Sequence, residues 1–323
     1  MKRTGKRLLS LLLFVLLSLT ACGGSTFTDE AVLKINEQEI MKSQYMIYLY
    51  TTTQSFLAMA GEEVWTMDFD GQTADELVEE RTISTIQSVI AAKAYAAENN
   101  ITMTEEQKAE AKEATAQFLE TVPAADLAKM GVDESSLLPL MEDSYLFSLV
   151  QNEIAAECDI DEEDLAGYYA ENKEAIKEEY TTVRVQSILL DDAEKAAEAT
   201  ERAKAGEDFT ALFKEYDIDP AAQTGEENGE RTMQQSYLLM SFGLTEPIEA
   251  GEVAGPLQMG EQYFVIKVAE KTVPTDAETE ELAREQYRRQ VQASYAEARM
   301  NEMVETQTVE KIGDAWDTME VFH

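Results

Sequence analysis

The stretch Gly251–Val268, GEVAGPLQMGEQYFVIKV, restricts the fold of this chain more than any other segment. A Gly-Pro pair precedes a polar turn, and Tyr263-Phe264-Val265-Ile266-Lys267-Val268 then brings β-branched and aromatic residues together. Such side chains fit a pleated, half-buried surface. Thr181–Leu190, TTVRVQSILL, has the same texture. Most of the remaining chain is acidic and Ala-rich, with apolar residues at three- and four-residue steps, the period of an amphipathic helix. One compact β-rich module set between helical segments follows, which makes the fold class α+β.

The helical segments carry their own punctuation. Tyr45, Met46, Leu49, Tyr50, Phe56 and Met59 mark a helix from about Ser43, and a second runs from about Thr73 to Asn99. Thr104 with Gln107, and Thr275 with Glu278, fit capping boxes; the latter opens a long helix to about Glu305. Glu134–Ala156, Glu162–Lys177, Asp192–Lys204, Asp208–Tyr216 and Met233–Leu244 complete the helical set. Gly206 suits the C′ position after the helix that precedes it. The short β-like runs Ala31–Ile35 and Thr308–Ile312 cannot stand alone, and pairing them would bring the chain ends together. Asn36–Glu39 reads as a turn. So does Asp68-Phe69-Asp70-Gly71, which lacks the further ligands of a calcium loop. The expected organisation is a helical domain over 31–178, completed by a helix and strand in 272–323, with the β-rich module inserted at 179–271.

The first residues have a separate purpose. Lys2, Arg3, Lys6 and Arg7 precede the apolar run Leu8–Leu19, the layout of a secretory signal peptide. That run is shorter than the ~20 residues needed to span a bilayer as a helix. Leu19-Thr20-Ala21-Cys22 resembles the bacterial lipobox, which implies removal of residues 1–21, acylation of Cys22 and a short tether over 22–30. Acyl chains contribute about 0.8 kcal/mol per buried CH₂, so several on one Cys hold a protein at a membrane. The expected location is the extracytoplasmic face of the cell membrane.

Charge and composition remove whole classes of function. Loss of the four positive charges at Lys2, Arg3, Lys6 and Arg7 takes the net charge from −38 to −42. That surface repels nucleic acid, so no nucleic-acid partner is expected. His323 is the only histidine and the last residue, which leaves a Ser-His-Asp arrangement without its base and excludes zinc sites built on histidine. No cofactor or metal is expected. Cys158 is the only cysteine besides Cys22, so acylation of Cys22 rules out an internal disulfide.

Within 181–269, six stretches in order resemble the parvulin (rotamase) type of peptidyl-prolyl isomerase. Val183–Leu190 is similar to its first strand, and Ala205-Gly206-Glu207-Asp208-Phe209 to the entry of its second helix. Tyr216-Asp217-Ile218-Asp219 resembles the acidic site segment. Ser241-Phe242-Gly243-Leu244 and Gly251–Leu257 resemble the run into the final hairpin, and Tyr263–Val268 the last strand. A lipobox, a split helical domain and an inserted module together resemble the PrsA-type foldase lipoproteins and, in the helical domain, SurA-like chaperones.

The resemblance implies roles for particular residues. Asp219 matches the family's acidic site residue; it would otherwise cap the turn before Pro220. Met233, Tyr237 and Phe242 match residues lining the proline pocket, with ordinary core packing as the alternative. Ser187 and Phe264 stand where the family typically carries histidines, and the loop motif has become Gly225-Glu226-Glu227-Asn228-Gly229. The implied site is therefore Asp219 and Ser187 for catalysis, and Met233, Tyr237, Phe242 and Phe264 for substrate. Implied partners are unfolded secreted polypeptides, with the membrane held through Cys22. The oligomeric state is left open, a dimer among the options.

Three functions stay in competition: a foldase with a divergent isomerase module, a holding chaperone whose module only binds peptide, and a solute-binding lipoprotein. The last needs strand–helix alternation through two α/β lobes, which this chain lacks. In the helical domain, Met41, Met46, Tyr48, Tyr50, Met59 and Met67 are candidates for an adaptable client cradle, because methionine is flexible and polarisable. The inward stripe of a helix is the alternative.

Overall fold

The computed structural model describes residues 27–220, 229–317 and 319–322. The leader 1–21, Cys22, the first part of the tether and the loop residues 225–228 lie outside the described residues. The chain divides into two compact units, one formed by residues up to Asn152 together with Arg299 onward, the other by Glu153–Ala298.

In the first unit, β1 (Ala31–Ile35) pairs antiparallel with β2 (Gln38–Met41) on one side and with the strand Val309–Lys311 on the other. The two short β runs do pair. Asn36 fastens them in the left-handed conformation (φ 53°): its N–H donates to the Thr308 carbonyl at 2.9 Å, and its Oδ1 accepts from the Thr308 N–H at 2.9 Å. The turn is thus shorter than expected, since Gln38 already belongs to β2. Helices α1 (Lys42–Ala60), α2 (Ala74–Asn99), α3 (Glu105–Thr121), α4 (Ala124–Met130) and α5 (Glu134–Ala156) follow. Thr73 and Thr104 each form a capping box, with Glu76 and Gln107 as partners, which satisfies N–H groups that the first turn leaves without a partner. Asp68–Phe69 (β3) and Gln72–Thr73 (β4) form a small hairpin. Asp70 and Gly71 both have positive φ at its tip, as a two-residue hairpin turn requires.

Met46, Tyr48 and Tyr50 are buried in the core with Leu33, Leu49 and Ile86. For these three, the cradle gives way to the helix stripe: residues 45–50 of α1 all face the core, and the exposed positions of α1 lie in its second half, at Thr51, Gln54, Ser55, Ala58 and Met59. Met59 and Met67 are exposed, at 69% and 46%.

The second unit is built on an antiparallel sheet of order β6-β5-β8-β7, with β5 at Thr182–Leu190, β6 at Glu230–Gln234, β7 at Val253–Met259 and β8 at Gln262–Thr272. Alternation along β5 and β8 divides their side chains between two cores, as the pleat dictates. Ile188, Leu190 and Val265 meet Ala196 and Ala199 of α7 (Ala193–Lys204) and Phe209, Leu212 and Phe213 of α8 (Phe209–Tyr216). On the opposite face, Val183, Val185, Ile266 and Val268 pack with Leu238 of α9 (Gln235–Phe242) and with Ile248.

One sequence expectation changes here. Helix was expected from Met233, but Glu230–Gln234 is a strand paired with Thr182–Gln186, and α9 begins at Gln235. The free edge of β5 offers unpaired backbone groups, and closing that ladder outweighs weak local propensity. Two further helices, α6 (Glu162–Tyr180) and α10 (Asp276–Glu305), meet through charge: Asp276 accepts from Lys173 at 2.8 Å and Lys177 at 2.5 Å, and Arg284 reaches Glu162 at 3.1 Å. Among the described residues, no helix is long and apolar enough to cross a membrane.

Candidate functional site

The face of the sheet that carries α9 also holds a cavity of about 210 Å³. Its position follows from strand register. Val183 lies opposite Met233, and Val185 opposite Arg231. Across the other edge of β5, Ser187 lies opposite Ile266 and Leu189 opposite Phe264. Period-two alternation therefore aligns Val185 and Ser187 with Arg231 and Met233 on one face. Val185, Leu238 and Ile266 are the buried lining residues; Met233, Phe242 and Phe264 are half-buried. The Phe242 and Phe264 rings meet edge to face, 5.2 Å between centroids, the arrangement that aromatic quadrupoles favour. Tyr237 and Met259 also line the cavity and are 55% and 44% exposed.

Five of the six residues singled out in the module, Ser187, Met233, Tyr237, Phe242 and Phe264, line this one cavity. Asp219 does not line it. It sits instead on a segment moored to β5 by its neighbour Asp217, which the sequence had not marked as a site residue. Asp217 is 5% exposed; its carboxylate accepts from the Leu189 N–H at 2.8 Å and from the Asp219 N–H at 3.1 Å. The Ile218 N–H in turn donates to the Leu189 carbonyl at 3.0 Å. β6 stops opposite Gln186, so residues 217–218 take over the backbone groups of β5 beyond it. Burial pushes the Asp217 carboxyl above its ordinary value, opposed by the two N–H groups it accepts. The signal for this residue was an Asp directly after an amphipathic helix, a common place for side-chain capture of nearby N–H groups.

Gly229 closes the same edge. It has φ +75°, and a Cβ there would lie 2.8 Å from a Phe213 ring carbon and 2.9 Å from the Ser187 carbonyl oxygen. The Ser187 N–H donates to the Gly229 carbonyl at 3.3 Å. Arg231 also escaped the sequence reasoning, although its two-residue spacing from Met233 places it on the cavity face.

The cavity is smaller than the ~300–1,000 Å³ typical of drug-sized ligand sites. It suits one apolar side chain with its adjoining backbone. No group of three or more His, Cys, Asp or Glu residues among the described residues is placed to hold a metal.

A four-stranded antiparallel sheet, helices on one face and an apolar notch beside α9 on the other define a parvulin-type module. Residues 160–285 match the family model of the PPIC-type PPIASE domain, so module and family agree. The similarity to known proteins extends beyond this module. The chain is 25% identical over 265 residues to foldase protein PrsA of Caldanaerobacter subterraneus subsp. tengcongensis, covering 79% of each chain. Among solved structures, foldase protein PrsA of Streptococcus pneumoniae aligns with 74% of this chain and 92% of its own, at 18% identity and TM-score 0.42. A SurA-like chaperone of Campylobacter jejuni aligns with 88% of this chain and 99% of its own, at 9% identity and TM-score 0.37.

Proposed function

We propose that this chain is a lipid-anchored foldase of the extracytoplasmic membrane face, whose PPIC-type domain takes proline-containing segments of unfolded secreted polypeptides into the 210 Å³ cavity. The carrying observation is the convergence of Met233, Tyr237, Phe242 and Phe264 on one partly open apolar notch beside Ser187. Rotation about a peptide bond faces a barrier of about 18–20 kcal/mol because the C–N bond is partly double. No covalent bond is made or broken, so a catalyst need only bind the twisted amide better than the planar forms. An apolar notch grips the ring and withdraws water. Ser187 supplies a neutral hydroxyl at its edge, and Asp219 supplies a charge on the segment held by Asp217. With no imidazole at 187 or 264, turnover is slow.

The foldase name of the PrsA relatives supports this reading, as do the signal layout and Cys22. An NMR-exchange assay of proline isomerisation with the mature full-length chain tests it, beside Phe242→Ala and Asp219→Ala. Slow acceleration that falls in both variants is expected; the absence of both acceleration and peptide binding would overturn the proposal. Ser187 and Phe264 specifically favour a second reading, a module that binds without turnover, and this predicts peptide binding with no exchange enhancement. Labelled fatty acid should enter the chain in cells and fail to enter Cys22→Ala. Light scattering of an unfolded client should fall in the presence of the mature chain.

A further inference from the structure

We propose that the groove between α1 and α2, within the first unit, binds a single-chain amphiphile, an aliphatic carboxylate, with its head at Arg81 and its tail against Phe56 and Phe69. The groove holds about 570 Å³, inside the ~300–1,000 Å³ typical of small-molecule sites. Its polarity is sorted lengthwise. Phe56, Met59, Phe69 and Leu77 line the part next to the link 61–73 that joins the two helices. The Phe56 and Phe69 rings meet edge to face there, 6.1 Å between centroids. Thr51, Thr52, Ser84 and Thr85 line the part farther along both helices, with Ser55 and Arg81 between the two parts. From Thr51 to Met59 the groove follows α1 for about 12 Å. Arg81 is the one charged side chain among the described lining residues. α1 carries no carboxylate, and the residues three and four positions from Arg81 on α2 are Leu77, Val78, Ser84 and Thr85. Neither helix therefore offers Arg81 an ion pair. Among the described residues its guanidinium has no carboxylate partner, in a chain whose net charge is −38.

The hydroxyls sharpen the choice of ligand. Those of Thr51, Ser55 and Thr85 donate to carbonyls of their own helices, at Tyr48, Thr51 and Arg81, over 2.9, 3.0 and 2.8 Å. The Thr52 and Ser84 hydroxyls make no such bond among the described residues. They remain, with the planar fork of Arg81, as donors for a carboxylate. A peptide would lay backbone carbonyls along the whole groove, and the part lined by Phe56, Met59, Phe69 and Leu77 has no side-chain donor for them. Each such group left unsatisfied weakens binding. A hydrocarbon tail brings none. The acidic remainder of the surface repels anions at long range, but the Debye length at physiological salt is about 8 Å, so distant carboxylates are largely screened. Arg81 is exposed, so loss of its charge should weaken binding about fivefold to tenfold, between the effects of exposed ion pairs and of buried charged hydrogen bonds. Each fully buried methylene of the tail contributes about fourfold in affinity.

Binding here is separate from the peptide-binding function proposed above and is read without an isomerisation assay. The isotope-labelled mature chain is titrated with decanoate below its micelle concentration. Saturable amide shifts at Ser55, Phe69 and Ser84 are expected, with hexanoate weaker by at least about tenfold. Decyltrimethylammonium, which has the same tail and a cationic head, should leave those amides in place. Arg81→Gln should weaken decanoate about fivefold to tenfold, and Arg81→Lys should weaken it less. Met59→Glu places a carboxylate beside the tail at a position 69% exposed, and should also weaken it. Circular dichroism checks that each variant is folded. No saturable shift at the groove overturns the inference, as does undiminished binding in Arg81→Gln or equal binding of the cationic amphiphile. A neutral-ended apolar peptide that binds the groove more tightly than decanoate also overturns it, and assigns the groove to unfolded polypeptide.

Discussion

Replacing Gly229 with Ala tests how tightly the site edge is built, and Gly260→Ala provides the control. Both glycines have left-handed backbone, at φ +75° and +61°. An L-residue in that conformation costs roughly 1–2 kcal/mol. Only Gly229 is crowded: a Cβ would sit 2.8 Å from the Phe213 ring and 2.9 Å from the Ser187 carbonyl, whereas nothing lies within 4 Å at Gly260. Phe213 is 1% exposed and cannot swing aside. The Ser187 carbonyl belongs to the central strand and cannot retreat without loosening the ladder. Overpacking of this kind typically adds about 1–3 kcal/mol. Gly260→Ala should therefore cost about 1–2 kcal/mol and Gly229→Ala about 2–5 kcal/mol, by addition of these two terms. Tryptophan fluorescence will not report this, because Trp65 and Trp316 both lie in the first unit. Amide hydrogen exchange of peptides covering Thr182–Leu190 and Gln262–Thr272 will, since protection there follows the opening free energy of the sheet. Equal loss of protection in the two variants would refute the close approach of Gly229 to β5.

Asp217→Ala should cost about 1–3 kcal/mol, the penalty for leaving the half-buried Leu189 N–H without its acceptor, measured by the same exchange experiment. Its pH dependence has a definite sign. The folded carboxyl titrates above its ordinary value, so its contribution to stability is greatest at low pH and declines as pH rises through the raised value. Asp276 has the opposite sign. Lys173 and Lys177 hold it at about 2 against an ordinary 3.8, so its contribution is present above 3.8 and lost as pH falls through about 2; Asp276→Asn should remove that part of the acid sensitivity in a circular dichroism titration. Phe264→Ala, which removes the edge-to-face partner of Phe242, should weaken proline-peptide binding about tenfold, equivalent to about 1.4 kcal/mol. The double change Ser187→His with Phe264→His places two imidazoles at diagonal positions about 7–8 Å apart on one sheet face, and should raise kcat/KM for isomerisation at least about tenfold.

Elements fixed by local chemistry were legible from the sequence. The capping boxes at Thr104 and Thr275 form as their spacing indicated, because the bonds involved lie within four residues. The β-branched run Thr181–Leu190 likewise predicted the strand found at Thr182–Leu190. Elements fixed by distant partners were not. ERTMQ becomes β6 only because Thr182–Gln186 offers an edge, and no local period announces that. Asp217 is defined by Leu189, 28 residues away. Cavity membership of Met233, Tyr237, Phe242 and Phe264 was legible only through the resemblance to the parvulin family, and it was illegible for Arg231, whose face depends on the register of an unforeseen strand.

The same register explains how the cavity keeps its shape whatever side chains stand at 187 and 264. Val185, Leu238 and Ile266 line the cavity and are also core residues of the sheet's α9 face, each 2% exposed or less. Removing any of them costs folding free energy of the order seen for buried aliphatics, about 2–5 kcal/mol for Leu or Ile to Ala. Ser187 and Phe264 are half-buried, and a change of side chain there alters the cavity lining while the ladder between Ser187 and Ile266 remains. Folding thus constrains the shape of the notch strongly and its proton-bearing groups weakly. In a module built this way, peptide binding should survive substitutions that abolish turnover, and a variant that loses binding should also lose protection in β5 unless the change lies at an exposed lining residue such as Tyr237, Met259 or Arg231.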